Sequence, residues 1–365
     1  MAKSIESTFK RIYQLYTSNL SLSEIERLIK RDAPGVYDFY LRETEEIDQQ
    51  KNPVTRAFRL IGNLFEAFLR KLSPSRRVLY SVILFLFVFA VLMANWFWAI
   101  ISFALLNILL AFELADKLTA KDELEVARDI QMNLMPRKPP AHPQFDIACF
   151  SEAAREVGGD YFDFINPKHS PETTYAIIGD VSGKGMGAAL HMVQVQAILQ
   201  NLIEQHRSPR DILLALNRHI QPIFQPKSFF TISIASLNAD RTLHFCRAGH
   251  VPLLHFQKSS GKCRSITPGG IGVGLQNNGK FDKLLEQIDI KVAAKDVLCF
   301  YTDGVVEAMN SDKVEFGEER LENLLCENAD LPAQEIQNAI LSALAQFRGA
   351  TPPHDDLTLV IMKAI

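Results

Sequence analysis

Hydrophobic residues are distributed unevenly along this chain of 365 residues, and one long block contains no charged side chain. The block covers residues 78–112, VLYSVILFLFVFAVLMANWFWAIISFALLNILLAF. One helix needs only about 20 residues to cross a bilayer, so the block is long for one span and sufficient for two short ones. The tetrapeptide MANW at 93–96 predicts a tight turn near its middle. The pattern therefore predicts a transmembrane helical hairpin, with a pair of buried core helices as the competing interpretation.

Basic residues flank this apolar block on both sides. RKLSPSRR at 70–77 precedes it, and Lys117 and Lys121 follow it. Because positive charge favours the cytoplasmic side of a membrane, both ends of the hairpin are predicted to face the cytoplasm at the inner (cytoplasmic) membrane. A single span would instead place the N-terminus outside.

The residues ahead of the block, 1–77, predict a helical cytoplasmic region. SLSEIERLIKR begins at Ser21 with a helix N-cap pattern. Residues 54–72 repeat apolar side chains at helical spacing and also carry basic ones. Two interpretations stay open for this second helix, which either lies on an anionic lipid surface or packs on its neighbours.

Residues 113–136, which follow the block, predict a linker helix, since they are rich in helix formers and contain no Gly or Pro before Pro136. Apolar side chains recur on one face, together with Gln131. The pattern fits a short coiled coil that joins a homodimer through residues 113–135, and equally a helix docked on its own domain. The prolines after the helix cannot continue it, so the next domain is predicted to cover 137–365.

From residue 145 onward, short β-branched and aromatic runs alternate with helical stretches. The predicted strands are FDIACF, TYAIIGDVS, FFTISIASLN, TLHFCRAG, PLLHFQ, VLCFYTDG and LTLVIM. The predicted helices cover 187–206, 208–223, 317–327 and 332–347. Many strands separated by turn signals, with helices grouped in pairs, predict an α+β domain with packed sheets.

The composition is close to that of an average globular protein, with 47% apolar residues and a formal net charge of −3. A general nucleic-acid binder would carry a basic excess, so no nucleic-acid partner is predicted. The five cysteines form no CxxC pair, which argues against a zinc site or a disulfide framework and fits a reducing cytoplasm. The polar and charged start of the chain predicts no secretory signal peptide.

Acidic residues lie beside turns or apolar strands at four places in the strand-rich domain. They are found in EVGGDYFDF (Asp160), YAIIGDVSGKG (Asp180), VLCFYTDGVVEA (Asp303) and PPHDDLTLVIM (Asp355 and Asp356). Converging carboxylates repel one another unless a cation lies among them, and oxygen donors select Mg²⁺ or Mn²⁺. Two such ions bridged by a carboxylate would activate a water for attack on phosphorus.

The stretch GDVSGKGMG at 179–187 superficially matches a loop that binds nucleotide phosphates. A Walker loop needs four residues between its first glycine and the Gly-Lys pair, followed by Ser or Thr. Here three residues separate Gly179 from Gly183, and Gly185 follows Lys184 where the hydroxyl residue should be. A nucleotide site is therefore not predicted.

Taken in order, the motifs of residues 120–365 resemble the metal-dependent (PPM, protein phosphatase 2C-like) serine/threonine phosphatases, in particular the bacterial branch typified by SpoIIE and RsbU. The matching segments are ARDIQMNLMP, EVGGDYFDF, GDVSGKGMGAAL, SFFTISIASLN, AGHVPLL, YTDGVVEAMN and HDDLTLV. The resemblance implies an antiparallel β-sandwich flanked by helices, with a two-metal centre between the sheets at one end. In this chain that fold would follow the helical N-terminal region and the transmembrane hairpin.

The resemblance also implies roles for the acidic residues around two Mn²⁺ or Mg²⁺ ions. Asp180 would bridge both ions, and the Val181 carbonyl would ligate one of them. Asp303 and Asp355 would complete the shell of the second ion. Asp160 would hold a metal or its water. A metal-activated water, rather than a side chain, would attack phosphoserine or phosphothreonine.

Five further residues receive weaker assignments. Asp356 would position its acidic neighbour rather than bind metal. Lys184 would either meet substrate phosphate or be solvated, and His354 would either donate a proton to the leaving serine or be simply exposed. The chain has no evident counterpart of the early arginine that binds substrate phosphate in the larger eukaryotic relatives, and Arg155, just before EVGGD, is the candidate to serve in its place. His250 would form hydrogen bonds near the sheets and is not predicted as a ligand.

The implied function is that of a membrane-anchored protein phosphatase with its catalytic domain in the cytoplasm. Its implied substrate is a phosphorylated anti-anti-sigma-factor-like (STAS) regulator in signal transduction. Two alternatives remain: a phosphatase-like binding module without turnover, and a two-metal hydrolase of small phosphate esters.

Overall fold

The computed structural model describes residues 53–365, except 137, 225–227, 239 and 276–278. The helix predicted to begin at Ser21 lies outside the described residues. The chain divides into two compact units, the first ending at Leu118 and the second covering Thr119–Ile365. Each unit is described by itself.

Three helices cover the apolar part of the chain: α1 (Pro53–Lys71), α2 (Pro74–Leu92) and α3 (Trp96–Leu134). The tight turn between α2 and α3 lies in the predicted MANW segment, where the N–H of Asn95 donates to Ala90 O at 3.0 Å. The linker helix is not a separate element, because α3 continues through it without interruption. The sequence offers no Gly or Pro there to end the helix before Pro136.

Helices α2 and α3 form an antiparallel pair. The Ser102 hydroxyl donates to Ile83 O at 3.0 Å, and Arg76 donates to Glu113 at 2.9 Å and to Asp116 at 2.6 Å. Both helices are long and apolar enough to cross a membrane, and most of their apolar surface is exposed. That exposure does not fit the interpretation as a buried core pair.

Helix α1 packs on α2 at its C-terminal end. The Tyr80 ring of α2 lies 5.2 Å from the Phe68 ring and 6.2 Å from the Phe65 ring, measured between centroids. Phe65 is nevertheless 40% exposed. Helix α1 therefore packs against a neighbouring helix, as one of the two interpretations proposed. Contact of its other side with lipid stays a prediction.

Besides the C-terminal part of α3, the second unit contains ten strands and six helices among its described residues. The strands are β1 (Phe145–Glu152), β2 (Asp160–Ile165), β3 (Thr174–Val181), β4 (Phe230–Leu237), β5 (Thr242–Ala248), β6 (Leu253–Gln257), β7 (Lys262–Ile266), β8 (Gln287–Lys291), β9 (Val297–Tyr301) and β10 (Leu357–Ala364). The helices are α4 (Met186–Gln205), α5 (Pro209–Ile220), α6 (Lys280–Leu284), α7 (Asp303–Val306), α8 (Glu318–Asn328) and α9 (Ala333–Arg348).

The strands form two antiparallel sheets of five, in the orders β1-β10-β9-β6-β7 and β2-β3-β4-β5-β8. One apolar core includes residues of both sheets and of α4 and α5, and the Phe245 and Phe300 rings meet across the sheets with centroids 6.2 Å apart. A second core joins the outer face of the first sheet to α8 and α9. The predicted α+β sandwich with outer helices is therefore confirmed.

Candidate metal centre

Aspartates from both sheets come together at the strand ends. Asp160 begins β2 and is paired directly with Asp180 of β3 in the antiparallel register. In the other sheet Asp303 follows the end of β9, and Asp355 precedes the start of β10, its antiparallel neighbour. Antiparallel pairing puts the end of one strand beside the start of its neighbour. The two aspartates of each sheet, although distant in the sequence, therefore lie at the same end of that sheet.

Asp160 links the two sheets at this end. Its Oδ2 accepts hydrogen bonds from the Thr302 hydroxyl at 2.8 Å and from the Thr358 hydroxyl at 2.6 Å. Its Oδ1 is buried without a hydrogen-bond partner among the described residues. Burial raises the pKa of Asp160 to about 8, against the opposing effect of the Thr358 hydrogen bond. A bound cation would satisfy this buried oxygen.

Gly159 makes room for two oxygens that the sequence predicts as metal ligands. A Cβ on Gly159 would lie 2.7 Å from Asp180 Oδ1 and 2.8 Å from the Val181 carbonyl oxygen. Both oxygens therefore lie against the same piece of backbone. Burial, followed by the negative charge of the neighbouring aspartates, raises the pKa of Asp180 to about 9.

Asp356 holds the loop that connects β1 to β2. Its Oδ1 accepts from Ala154 N at 2.8 Å, and its Oδ2 accepts from Gly159 N at 2.6 Å. A Cβ on Gly158 would lie 2.5 Å from Oδ2, so the glycine is needed for this approach. The Asp356 carboxylate therefore positions this loop, and the role predicted for it towards its acidic neighbour stays a prediction.

Lys184 contacts the carboxylate cluster itself. Its ammonium donates to Asp355 Oδ2 at 2.8 Å and to the His354 carbonyl at 2.7 Å. The free, solvated lysine that was one of its two predicted states is thus not observed, although the side chain is 41% exposed. The side chains of His354 and of Arg155, which lies in the loop held by Asp356, are exposed.

His250 is buried, and both of its ring nitrogens lie at hydrogen-bond distance from groups of the two sheets. Its Nδ1 lies 2.9 Å from the Thr231 hydroxyl of β4, and its Nε2 lies 3.1 Å from Tyr301 O of β9. Burial lowers the pKa of His250 to about 3, so the ring is neutral. Because the Tyr301 carbonyl only accepts, Nε2 carries the proton and Nδ1 accepts from Thr231.

Three residues at the centre were missed by sequence reasoning: Thr302, Thr358 and Gln131. Each threonine stands next to an acidic motif and is buried beside Asp160. Gln131 Nε2 donates to Gly158 O at 2.6 Å, and Gly158 N donates back to Gln131 Oε1 at 3.2 Å. In the sequence, Gln131 could have been recognised as a polar side chain on the otherwise apolar face of the linker helix.

The donor atoms fit hard divalent cations, because all are carboxylate or carbonyl oxygens. Burial and the charge of Asp355 also raise the pKa of Asp303. Asp160 and Asp180, with pKa values of about 8 and about 9, hold protons at neutral pH that a cation would displace. No group of three or more His, Cys, Asp or Glu side chains in the described part of the chain is already arranged to hold an ion. Metal binding must therefore compete with the present bonds of Asp160 and Asp355.

The metal-free protein is expected to lose stability as the pH rises from 5 towards 9. Folded Asp160 and Asp180 have pKa values of about 8 and about 9, against about 3.9 when unfolded. The folded state thus holds more protons across this window, and the free energy of unfolding falls with increasing pH. Saturating Mn²⁺ should remove most of this dependence. Thermal unfolding of the full chain in detergent, with EDTA or Mn²⁺, measures both; a flat metal-free profile would contradict the expectation.

The sequence is similar to that of a known family and of two phosphatases. The family model described as Stage II sporulation protein E (SpoIIE) matches residues 170–365. Phosphoserine phosphatase RsbU of Bacillus subtilis is 27% identical over 244 residues, which cover 67% of this chain and 70% of RsbU. Phosphoserine phosphatase RsbP of the same organism is 27% identical over 252 residues, which cover 67% of this chain and 59% of RsbP.

A solved structure shows the same fold. The SiaA-PP2C domain of Pseudomonas aeruginosa superimposes with a TM-score of 0.58 at 20% identity, covering 68% of this chain and 98% of that domain. At this identity the likeness establishes the fold alone. The two antiparallel sheets between helices are therefore of the PP2C type.

Proposed function

The chain belongs to the SpoIIE family and is a PP2C-type protein serine/threonine phosphatase, and we propose that it uses two divalent cations to dephosphorylate a regulatory protein. This reaction would take place at the cytoplasmic face of a membrane. The supporting observation is the meeting of acidic strand ends around the buried, unpartnered Oδ1 of Asp160. Oxygen donors crowded at one buried point need cations for balance.

Two Mn²⁺ or Mg²⁺ ions, when bound, would supply an activated water and offset the charge of the phosphoryl group. Asp180 would hold both ions with help from the Val181 carbonyl, and Asp303 and Asp355 would hold the second. Asp160 would contact a metal or its water, oriented by the two threonine hydroxyls on its Oδ2.

Positive charge at the rim of the centre suits an anionic substrate. Lys184 is partly exposed while bonded to Asp355, so its ammonium is accessible to a phosphoryl oxygen. Arg155 is exposed in the loop that Asp356 anchors. We assign both to substrate phosphate, with the exposed His354 as a proton donor to the leaving serine or threonine.

Two relatives support the proposed substrate class. RsbU and RsbP are both phosphoserine phosphatases. For this chain we propose phosphoserine or phosphothreonine on an anti-anti-sigma-factor-like (STAS) protein, whose dephosphorylation would alter transcription through a sigma factor.

The apolar hairpin supports an anchor in the inner membrane. Helices α2 and α3 expose large apolar side chains along the block without charges, and basic residues flank both ends. Tags at each terminus, tested for protease access in sealed cells, should both be protected. An accessible N-terminal tag would replace the hairpin by a single span.

Helix α3 supports a regulatory connection to the centre. Leu114, Leu118, Val126 and Ile130 are more than half exposed along it, which suits pairing of two protomers through residues 113–135. Further along the same helix, Gln131 holds Gly158 by two hydrogen bonds. A change in the pairing of the helices would therefore reach the loop beside Asp160.

Gln131→Leu is expected to lower phosphate release about tenfold, and to weaken Mn²⁺ binding, because it removes both bonds to Gly158. Gln334→Leu, an exposed-side change in α9 that leaves the centre untouched, is the matched control. Initial rates over a Mn²⁺ titration measure both effects. Wild-type Mn²⁺ dependence in Gln131→Leu would show that this contact does not support the centre.

The central test is phosphate release by the full chain in mild detergent. Release from a phosphoserine STAS-domain protein should occur with Mn²⁺ or Mg²⁺ and cease with EDTA. If neither metal supports any release, the chain is a binding module without turnover. If small phosphate esters are hydrolysed and the phosphoprotein at equal concentration is not, the chain is a small-ester hydrolase.

A further inference from the structure

One exposed helix face beside the metal centre carries no charged side chain and begins with exposed apolar ones. Helix α4 carries no Asp, Glu, Lys or Arg from Met186 through Ile203. Its inner side contributes Met192, Val195 and Leu199 to the core, whereas Met186 and Leu190 are 39% and 59% exposed. Exposed helix faces are ordinarily charged, so this face is suited to contact with another molecule.

The apolar surface extends from α4 to the turn that follows α5. The His191 ring of α4 lies 4.4 Å from the Phe224 ring, measured between centroids. Ile223, the residue before Phe224, is 47% exposed. We define the apolar patch as the exposed side chains of Met186, Leu190 and Ile223.

The apolar patch is continuous with the metal centre. Met186 follows Lys184 by two residues, and the Lys184 ammonium lies 2.8 Å from Asp355 Oδ2. Leu190 stands one helical turn farther along α4, which is about 5 Å. A folded protein that presents a phosphorylated residue to the aspartates from this side would therefore come close to the patch.

We propose that the apolar patch docks the phosphoprotein substrate, through an apolar surface next to its phosphorylated residue. This inference rests on the proposed function, and it explains why the phosphatase would prefer a phosphoprotein to a small phosphate ester. A few residues near the centre of a protein–protein contact supply most of its binding energy. Because the patch borders the centre, a second copy of this chain seated there would obstruct the substrate, which favours the substrate as occupant.

The test compares two substrates and two kinds of variant in the full chain. Leu190→Gln and Ile223→Gln change the patch without adding charge, and Leu331→Gln changes a 37% exposed leucine between α8 and α9 as the matched control. For Leu190→Gln, kcat/KM towards a phosphoserine STAS-domain protein should fall about tenfold, mainly through KM. For p-nitrophenyl phosphate it should stay within about twofold, since that ester is too small to span the patch.

Binding of the phosphoprotein is measured separately in EDTA, where turnover stops, and should weaken in the patch variants alone. Equal losses on both substrates, or no loss on either, would overturn the inference. Light scattering that shows a dimer dissociating in Leu190→Gln, with substrate binding intact, would assign the patch to a second copy. If the wild-type chain with Mn²⁺ releases no phosphate at all, the proposed function fails, while the binding measurement still decides the docking.

Discussion

Asp303→Ala and Asp180→Ala are each expected to reduce metal-dependent phosphate release by roughly 10³-fold, because a metal centre contributes several kcal/mol of transition-state stabilisation. Asp180 is the aspartate paired with Asp160 across β2 and β3, and Asp303 lies two residues after the end of β9. Removing either leaves fewer oxygen donors than two ions require. The measurement is the initial rate of phosphate release from a phosphoserine protein over a Mn²⁺ titration.

The loss should not come from unfolding. In the metal-free protein burial raises the pKa of Asp180 to about 9, so removing this carboxyl relieves crowding and the unfolding midpoint in EDTA should not fall. Asp330→Ala is the matched control, since Asp330 is an exposed aspartate whose carboxylate pairs with Lys258 at 2.6 Å. Full activity in Asp303→Ala would refute the metal assignment.

Gly159→Ala is expected to cost about a hundredfold in phosphate release, since misplacing a reacting group by about 1 Å has that effect. The new methyl group would lie 2.7 Å from Asp180 Oδ1 and 2.8 Å from Val181 O, so both oxygens must move. Affinity for Mn²⁺ should fall with the rate. Both are measured in the same titration as for the aspartate variants.

Gly62→Ala separates this effect from the general cost of replacing a glycine. Nothing lies within 4 Å of a Cβ at Gly62, which is exposed in α1. There alanine should leave activity unchanged and favour the helix by roughly 0.5–1 kcal/mol. If Gly159→Ala behaves like Gly62→Ala, the two oxygens do not belong to the reaction centre.

The central strands were predictable because both of their faces are covered. In β9, Leu298 and Phe300 point into the core between the sheets, while Cys299 and Tyr301 point into the core with α8 and α9. Side chains alternate between faces along a strand, so a strand covered on both sides becomes a continuous apolar run. VLCFY shows that run in the sequence.

Three strands escaped prediction, and all are edge strands. β7 (KCRSI) and β8 (QIDIK) expose many of their side chains, so their sequences lack an apolar run. β2 is buried but carries Asp160 and Asp163, which interrupt its pattern. An edge strand is defined by the neighbour with which it pairs, and that neighbour lies elsewhere in the sequence.

The sequence by itself determined the apolar hairpin, the central strands, the outer helices and the identity of the acidic residues, because each depends on local periodicity or on a short motif. Only the tertiary structure decided how those residues are held. Thr302 and Thr358 converge on Asp160, Lys184 turns to Asp355, and Gln131 reaches Gly158. Such contacts join positions far apart in the chain, so they exist only once the sheets have paired and packed, and no local pattern encodes them.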